Sequence, residues 1–297
     1  MYRTLIIICL AISTLGCSLA GTRTTNSRKA IYTRELEEIH SVYLRLSSEL
    51  RTNDSWYYGE DCDGILFESL LSVGSGQPSD INLAQIEPGH YYRNPMMTGC
   101  DHDISRDMLL GVYWYAWEFQ RLDIVEDLWN YGSSNNWKMG EGDSRTILTP
   151  GMVGLLSKLV YKLGGESHAE RFYTETQYST TPGYQSHLTL LHILLDGELN
   201  KGQITDIQLD TLEKIASKNH GNPLAQAAYH LYTDGDQSTA TNLLVNTWPR
   251  DRLPNNTDWC ESWRTQRADG DSGFEPCNRR HTHSGGDLMF VVRVMGM

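Results

Sequence analysis

The stretch SRDMLLGVYWYAWEFQRLDIVEDLWNY, residues 105–131, decides the fold class of this chain. Its apolar residues recur at helical spacing, and the pattern breaks near Leu122, which predicts two consecutive helices. The same spacing runs through the chain from Ala30 onward, whereas strand-like alternation is almost absent. Further helices are predicted over 31–50, 62–73, 80–87, 149–164, 184–196, 204–218, 222–233, 236–247 and 285–295. The sequence therefore predicts an all-α fold of paired antiparallel helices, arranged as an α/α barrel or toroid.

The first twenty residues, MYRTLIIICLAISTLGCSLA, have the pattern of an export signal. Arg3 supplies the positive start, and the apolar run 5–12 is too short to span a bilayer. The ending Thr14-Leu15-Gly16-Cys17 resembles the lipobox of bacterial lipoproteins, which implies that Cys17 is lipidated and anchors the protein to a membrane of the cell envelope. Cleavage after Ala20, giving a secreted protein, is the alternative.

Composition divides the chain into three parts. Residues 1–17 form the export signal, and residues 18–29 are polar and rich in threonine, which predicts a flexible tether. Residues 30–297 are predicted to form a single helical domain. The net charge of −12 argues against nucleic acid as a partner, because nucleic acid requires a basic face.

Four cysteines belong to the predicted domain, and their positions favour two local disulfides. Cys62 pairs with Cys100 and Cys260 pairs with Cys277 in the arrangement that closes the shortest loops. Each bond would add about 3 kcal/mol by restricting the unfolded chain. A zinc–thiolate site is the alternative, but no C-x-x-C spacing occurs and export favours oxidation.

Two long segments, 86–104 and 249–284, lack helical spacing, and long loops in a compact domain commonly carry function. Three polar clusters, 100–107, 139–145 and 279–287, each lie at the predicted start of a helix. Loops at one rim of a toroid meet around a common cleft, so we expect these clusters to share a site. Its candidate catalytic residues are Asp103, Asp107, Glu141, Asp143, Asp287 and His283, and its candidate substrate-binding residues are Arg106, Arg145, His102, His281, Trp114 and Trp117.

This set of residues suits carbohydrate chemistry. Glycoside hydrolysis needs two carboxyl groups, about 5–5.5 Å apart for retention or about 6.5–9.5 Å apart for inversion. Arginines can neutralise an acidic sugar, and His102, His281 or His283 could then act as the base of a lyase. Tryptophan rings can stack on sugars. The sequence leaves hydrolysis, elimination and binding alone open.

From Tyr32 to its end, the chain resembles the α/α-toroid glycosidases and polysaccharide lyases in its helices and its Trp- and Asp-rich loops. We expect a glycan polymer as partner and no cofactor. Two alternatives are a non-catalytic envelope lipoprotein whose helical pairs bind another protein, and a metal-dependent hydrolase. The hydrolase would use His281, His283 and Asp287, with His102, as zinc ligands.

Overall fold

The computed structural model describes residues 23–24, 34–51, 64–95, 104–141, 145–166, 176–181, 184–247 and 286–296. Within these ranges the chain forms ten α-helices, and its strands are only two or three residues long. The predicted all-α class is therefore confirmed. None of the helices described is long and apolar enough to cross a bilayer.

The helices and strands alternate irregularly along the chain. The helices are α1 (Arg34–Arg51), α2 (Gly64–Ser75), α3 (Arg106–Glu118), α4 (Leu122–Ser134), α5 (Pro150–Lys162), α6 (Tyr184–Leu199), α7 (Asp206–Lys218), α8 (Pro223–Leu231), α9 (Ser238–Thr247) and α10 (Gly286–Val294). The strands are β1 (Arg23–Thr24), β2 (Gln85–Glu87), β3 (His90–Tyr91), β4 (Lys138–Met139), β5 (Thr146–Ile147) and β6 (Gln203–Ile204). They form three antiparallel pairs, β1 with β6, β2 with β3 and β4 with β5.

The predicted break near Leu122 is present and has a local cause. Gln120 adopts a positive φ of 54° after the last turn of α3. The amide of Arg121 then donates to the carbonyl of Ala116 over 2.8 Å, which is the hydrogen bond of a Schellman ending. This turn ends α3 and lets α4 start in a new direction.

The predicted helix over 80–87 is wrong. Residues Ile81–Ala84 form a single 3₁₀ turn, and β2 follows directly. Pro88 disfavours a helical backbone at the residue before it. Gly89 has a φ of +79°, and a side chain there would overlap with the carbonyl oxygen of Asp127. The chain therefore turns back into β3 and lies against α4.

The hydrophobic core is centred on α2, which packs mainly against α3 and α10. Nearly the whole circumference of α2 is buried, as expected for a helix surrounded by others. Two glycines allow the close approach. A side chain at Gly74 would overlap with the backbone of Met289, and one at Gly111 would press on Leu66.

The outer helices pack in consecutive pairs, with α4 against α5, α7 against α8 and α8 against α9. The N-terminal helix α1 has the predicted apolar stripe, because Leu36, Ile39 and Tyr43 are buried. Within the segment predicted as a tether, Arg23 and Thr24 form β1 and pair with β6.

Candidate functional site

Of the first polar cluster, residues 100–107, the structure describes residues 104–107. Ser105 occupies the N-cap of α3, but its hydroxyl donates to the carboxylate of Asp107 rather than capping a backbone amide. The same oxygen of Asp107 accepts from the amide of Met108 over 3.1 Å. Asp107 is only 2% exposed. Its carboxylate therefore serves the start of α3, and its predicted catalytic role stays a prediction.

The first cluster contacts the β4–β5 hairpin, whose loop carries the second cluster. Nε of Arg106 donates to the carbonyl oxygen of Ile147 over 3.0 Å, which connects the start of α3 to the β4–β5 hairpin. This backbone contact ties Arg106 to the hairpin. At the other end of the hairpin, Glu141 and Arg145 are both exposed.

The two tryptophans predicted to bind sugar have different surroundings. Trp114 is 1% exposed, its Nε1 donates to the carbonyl of Leu191 over 3.0 Å, and its ring packs edge-on against Phe290. A sugar ring cannot reach it, so its predicted stacking role is wrong. Trp117 is half-buried against the core.

Several predicted residues fall outside the described part of the chain. They are Cys17, His102, Asp103, Asp143, His281, His283 and the side chain of Asp287, together with the cysteines of both predicted disulfides, Cys62, Cys100, Cys260 and Cys277. The meeting of the third cluster with the other two therefore stays a prediction. Among the residues that the structure does describe, no group of three or more His, Cys, Asp or Glu side chains could hold a metal ion.

A cluster of aromatic and acidic side chains lies where the β2–β3 hairpin, α4 and the segment after β4 meet. We call it the tyrosine site, and it consists of Glu87, His90, Tyr92, Tyr131 and Glu141. The hairpin is held on α4 by Gly89, where an added Cβ would lie 2.7 Å from the Cβ of Tyr131. The hairpin therefore rests directly on the turn of α4 that carries Tyr131.

Aromatic packing fixes the centre of this site. The rings of His90 and Tyr131 are stacked, with centroids 4.9 Å apart and planes 20° apart. The ring centroids of Tyr92 and His90 lie 5.7 Å apart, and the two ring planes are tilted by 60°. The hydroxyl of Tyr131 reaches the carbonyl oxygen of Gly140 at 3.5 Å. His90 is 3% exposed, whereas both tyrosines are half-buried.

Two carboxylates lie close enough to this centre to act on it electrostatically. Burial raises the pKa of Tyr131, and the charges of Glu87 and Glu141 raise it further, while Arg145 opposes them. Desolvation and the charge of Glu141 also raise the pKa of Tyr92. Both phenols therefore stay protonated at neutral pH and can donate hydrogen bonds.

A second polar cluster, which we call the Lys158 network, joins α5, α6 and α7. Nζ of Lys158 lies 2.6 Å from Oδ1 of Asp196, and Nε2 of Gln208 donates to Oδ2 of Asp196 over 2.8 Å. The same Nε2 donates to the hydroxyl of Tyr178 over 2.9 Å, and the ring of Tyr178 packs edge-on against His192. Burial lowers the pKa of His192 to about 4, with Asp196 raising it and Lys158 lowering it.

Both oxygens of Asp196 and the amide donors of Gln208 have partners in this network. Oε1 of Gln208 accepts from the amide of Thr205 over 2.8 Å, in the capping box that starts α7. Such a saturated network holds helices together. One feature of the sequence indicates the Lys158 network. His192 and Asp196 are four residues apart on α6, so they lie on the same face of the helix.

Part of the tyrosine site is predictable from the sequence. Glu87, His90 and Tyr92 belong to the segment 86–104, which was singled out as a loop of functional composition, and Glu141 was a candidate carboxylate. Tyr131 was missed because its position on α4 looks like that of any helical core residue. Comparisons of the chain with protein-family models, with curated proteins and with solved structures find no match.

Proposed function

We propose that this protein binds a carbohydrate polymer at the tyrosine site. The observation that carries the proposal is a pair of half-buried tyrosines, Tyr92 and Tyr131, around a buried histidine and beside two carboxylates. Aromatic rings offer an apolar surface to the C–H faces of a sugar. Protonated phenols and carboxylates offer donors and acceptors to its hydroxyls.

The same carboxylates are the pair to test for cleavage. Hydrolysis of a glycosidic bond needs one carboxyl group as acid and a second as base or nucleophile. Oε1 of Glu87 lies 3.4 Å from Nδ1 of His90, and Glu141 directly follows Gly140, whose carbonyl oxygen is 3.5 Å from the hydroxyl of Tyr131. We propose Glu141 and Glu87 as that pair, with hydrolysis as the reaction class, and Asp103 and Asp143 as further candidates in the adjoining segments.

We also propose export, lipidation at Cys17 and anchoring in the bacterial cell envelope, on the evidence of residues 1–17. Cys17→Ser is expected to abolish incorporation of labelled fatty acid and to release the protein from the membrane fraction.

We further propose disulfides between Cys62 and Cys100 and between Cys260 and Cys277, and a toroidal arrangement of the helices. Peptide mapping without reduction tests the two disulfides.

Affinity electrophoresis against a panel of plant, algal and bacterial polysaccharides tests the binding function. Tyr92→Ala and Tyr131→Ala are expected to weaken the retention of the bound polysaccharide by about threefold or more each, since one aromatic contact contributes about 0.5–1.5 kcal/mol beyond its area. Tyr161→Ala is the matched control, because Tyr161 is an exposed tyrosine on α5, outside the site.

Retention of no polysaccharide would refute the proposal. An equal loss of retention in Tyr161→Ala would also refute it, because the binding would then not be specific to the tyrosine site. New reducing ends, lost in Glu141→Gln with retention preserved, would establish hydrolysis. A protein that captures only other proteins from the envelope would instead support a scaffold.

A further inference from the structure

We infer that the connection between α6 and α7 rests on the membrane that carries the protein, with Ile207 at the boundary of the lipid chains. The inference rests on the proposed lipidation of Cys17 and goes beyond it, because anchoring alone leaves the orientation of the domain open. Three observations carry it: a strand pair close to the anchor, the direction in which the chain leaves that pair, and an exposed isoleucine at the same place.

The first observation is the pairing of β1 with β6. Arg23 lies opposite Ile204, and Thr24 lies opposite Gln203. Arg23 is six residues after Cys17, and six extended residues span at most about 20 Å. A tether that stayed free along its whole predicted length would reach about 40 Å. The pairing therefore halves the reach of the anchor and keeps β6 close to the membrane surface.

The second observation is the direction of the chain at this pair. The two strands are antiparallel, so the direction from Arg23 back towards Cys17 is the direction in which β6 leads from Ile204 into α7. Thr205, the N-cap of α7, comes directly after β6. The chain therefore leaves β1 towards the anchor on the side of the pair where α7 begins.

The third observation is what this side exposes. Ile207, in the first turn of α7, is 56% exposed, more than any other large apolar side chain in the described part of the chain. Lys201 before β6 and Asp206 after it are also exposed, and their opposite charges offset each other. A surface without net charge that presents an apolar side chain suits the boundary between lipid headgroups and lipid chains. It gives no preference for anionic lipid, which the net charge of −12 disfavours.

A photolabel carried by the lipid tests the orientation. The full-length protein with its acyl chains is incorporated into phosphatidylcholine vesicles that contain a photoactivatable lipid, and peptide mass spectrometry measures the label at each position. Ile147 on β5 is the matched comparison, because it has the same side chain and is 53% exposed. Ile207 is expected to take up about fivefold more label than Ile147, since a side chain at the membrane boundary lies within reach of the lipid chains.

Engineered cross-links test the β1–β6 pair itself. Thr24 and Gln203 are directly opposite each other. Opposite residues of an antiparallel pair have Cα atoms about 4.5–5.5 Å apart, which a disulfide can bridge. Thr24→Cys combined with Gln203→Cys is therefore expected to form a cross-link. Thr24→Cys combined with Lys214→Cys is the control, because Lys214 is an exposed residue farther along α7, and it is expected to form none.

Lengthening the chain tests whether its short reach holds the domain on the membrane. A Gly-Ser spacer of about twelve residues after Ala20 spans about 20 Å on average. The spacer leaves the β1–β6 pair intact but is expected to reduce the label on Ile207 to the amount on Ile147. Ile207→Asp is expected to reduce the label on the peptide around residue 207 as well, because a carboxylate does not enter the lipid boundary, while the thermal midpoint and the share of protein in the membrane fraction stay unchanged.

The outcomes separate this inference from the anchoring on which it rests. Equal label on Ile207 and Ile147 in a lipidated, membrane-bound protein would overturn the inference while anchoring stands. Label on Ile207 that is as strong with the spacer as without it would do the same. Absence of the cross-link between residues 24 and 203 would also overturn it, because the short reach depends on that pair. A protein without fatty acid at Cys17 would overturn both the anchoring and the inference, and the polysaccharide panel tests carbohydrate binding independently.

Discussion

Removal of Lys158 is expected to cost more stability than almost any other single charge in the described structure. Nζ of Lys158 lies 2.6 Å from Asp196, whose side chain is 2% exposed. In Lys158→Met, Asp196 keeps the hydrogen bond from Gln208 but loses its counter-ion. Breaking a buried ion pair from one side costs about 3–5 kcal/mol, because it leaves a desolvated charge. That is a large share of the roughly 5–15 kcal/mol that stabilises a typical domain.

A matched pair on α7 isolates the effect of burial. Lys214 and Asp210 are also 2.6 Å apart, but their side chains are 57% and 58% exposed. Lys214→Met is therefore expected to change the free energy of unfolding by less than about 0.5 kcal/mol. Urea denaturation followed by circular dichroism measures both variants.

A double variant separates the loss of the pair from the burial of a lone charge. Lys158→Met combined with Asp196→Leu removes both charges, so it is expected to cost less than the sum of the two single variants. If Lys158→Met lowers the free energy of unfolding no more than Lys214→Met does, burial does not strengthen the effect of losing this ion pair, and the prediction fails.

Three further predictions concern groups that the structure buries. The pKa of His192 is about 4 in the folded protein and about 6.5 in the unfolded chain, so the stability that neutral His192 contributes is complete above about pH 6.5 and falls as pH decreases towards 4. Urea denaturation at several pH values should show a flatter profile of the free energy of unfolding against pH for His192→Gln than for the wild type. Gly89 has a φ of +79° and lies against Asp127, so Gly89→Ala is expected to lower the free energy of unfolding by about 2 kcal/mol or more and to weaken polysaccharide retention. Wild-type stability in this variant would contradict the placement of the hairpin. Trp114→Phe removes the hydrogen bond to Leu191, so we expect the free energy of unfolding to fall by about 1 kcal/mol while retention on polysaccharide gels is unchanged. A loss of retention without a loss of stability would instead show that Trp114 belongs to the site.

Helices were predictable here because their causes are local. The spacing of Leu36, Ile39 and Tyr43 depends only on the period of the helix, and all three are buried. The exception at 80–87 also has local causes, since Pro88 and Gly89 favour a turn over a helix. The helix predicted over 80–87 rested on apolar spacing and left out the effect of these two residues.

The site was less predictable because its geometry is tertiary. Composition drew attention to the loops that contain Glu87, His90 and Glu141. Their position beside Tyr131 depends on the packing of the hairpin on α4, which no local pattern contains. Trp114 shows the opposite error, because its place in an aromatic-rich helix gave no sign that Leu191 would accept its N–H group.

The two polar clusters differ in how far their side chains are open to a ligand, and this difference separates stability from binding. In the Lys158 network the carboxylate of Asp196 has partners on both oxygens and Gln208 is fully engaged, so a ligand would have to break existing bonds to enter. In the tyrosine site the side chains of Tyr92 and Tyr131 are only half-buried, so part of each ring is open to a ligand. The partial exposure of these two rings is therefore the physical reason to place recognition at this hairpin.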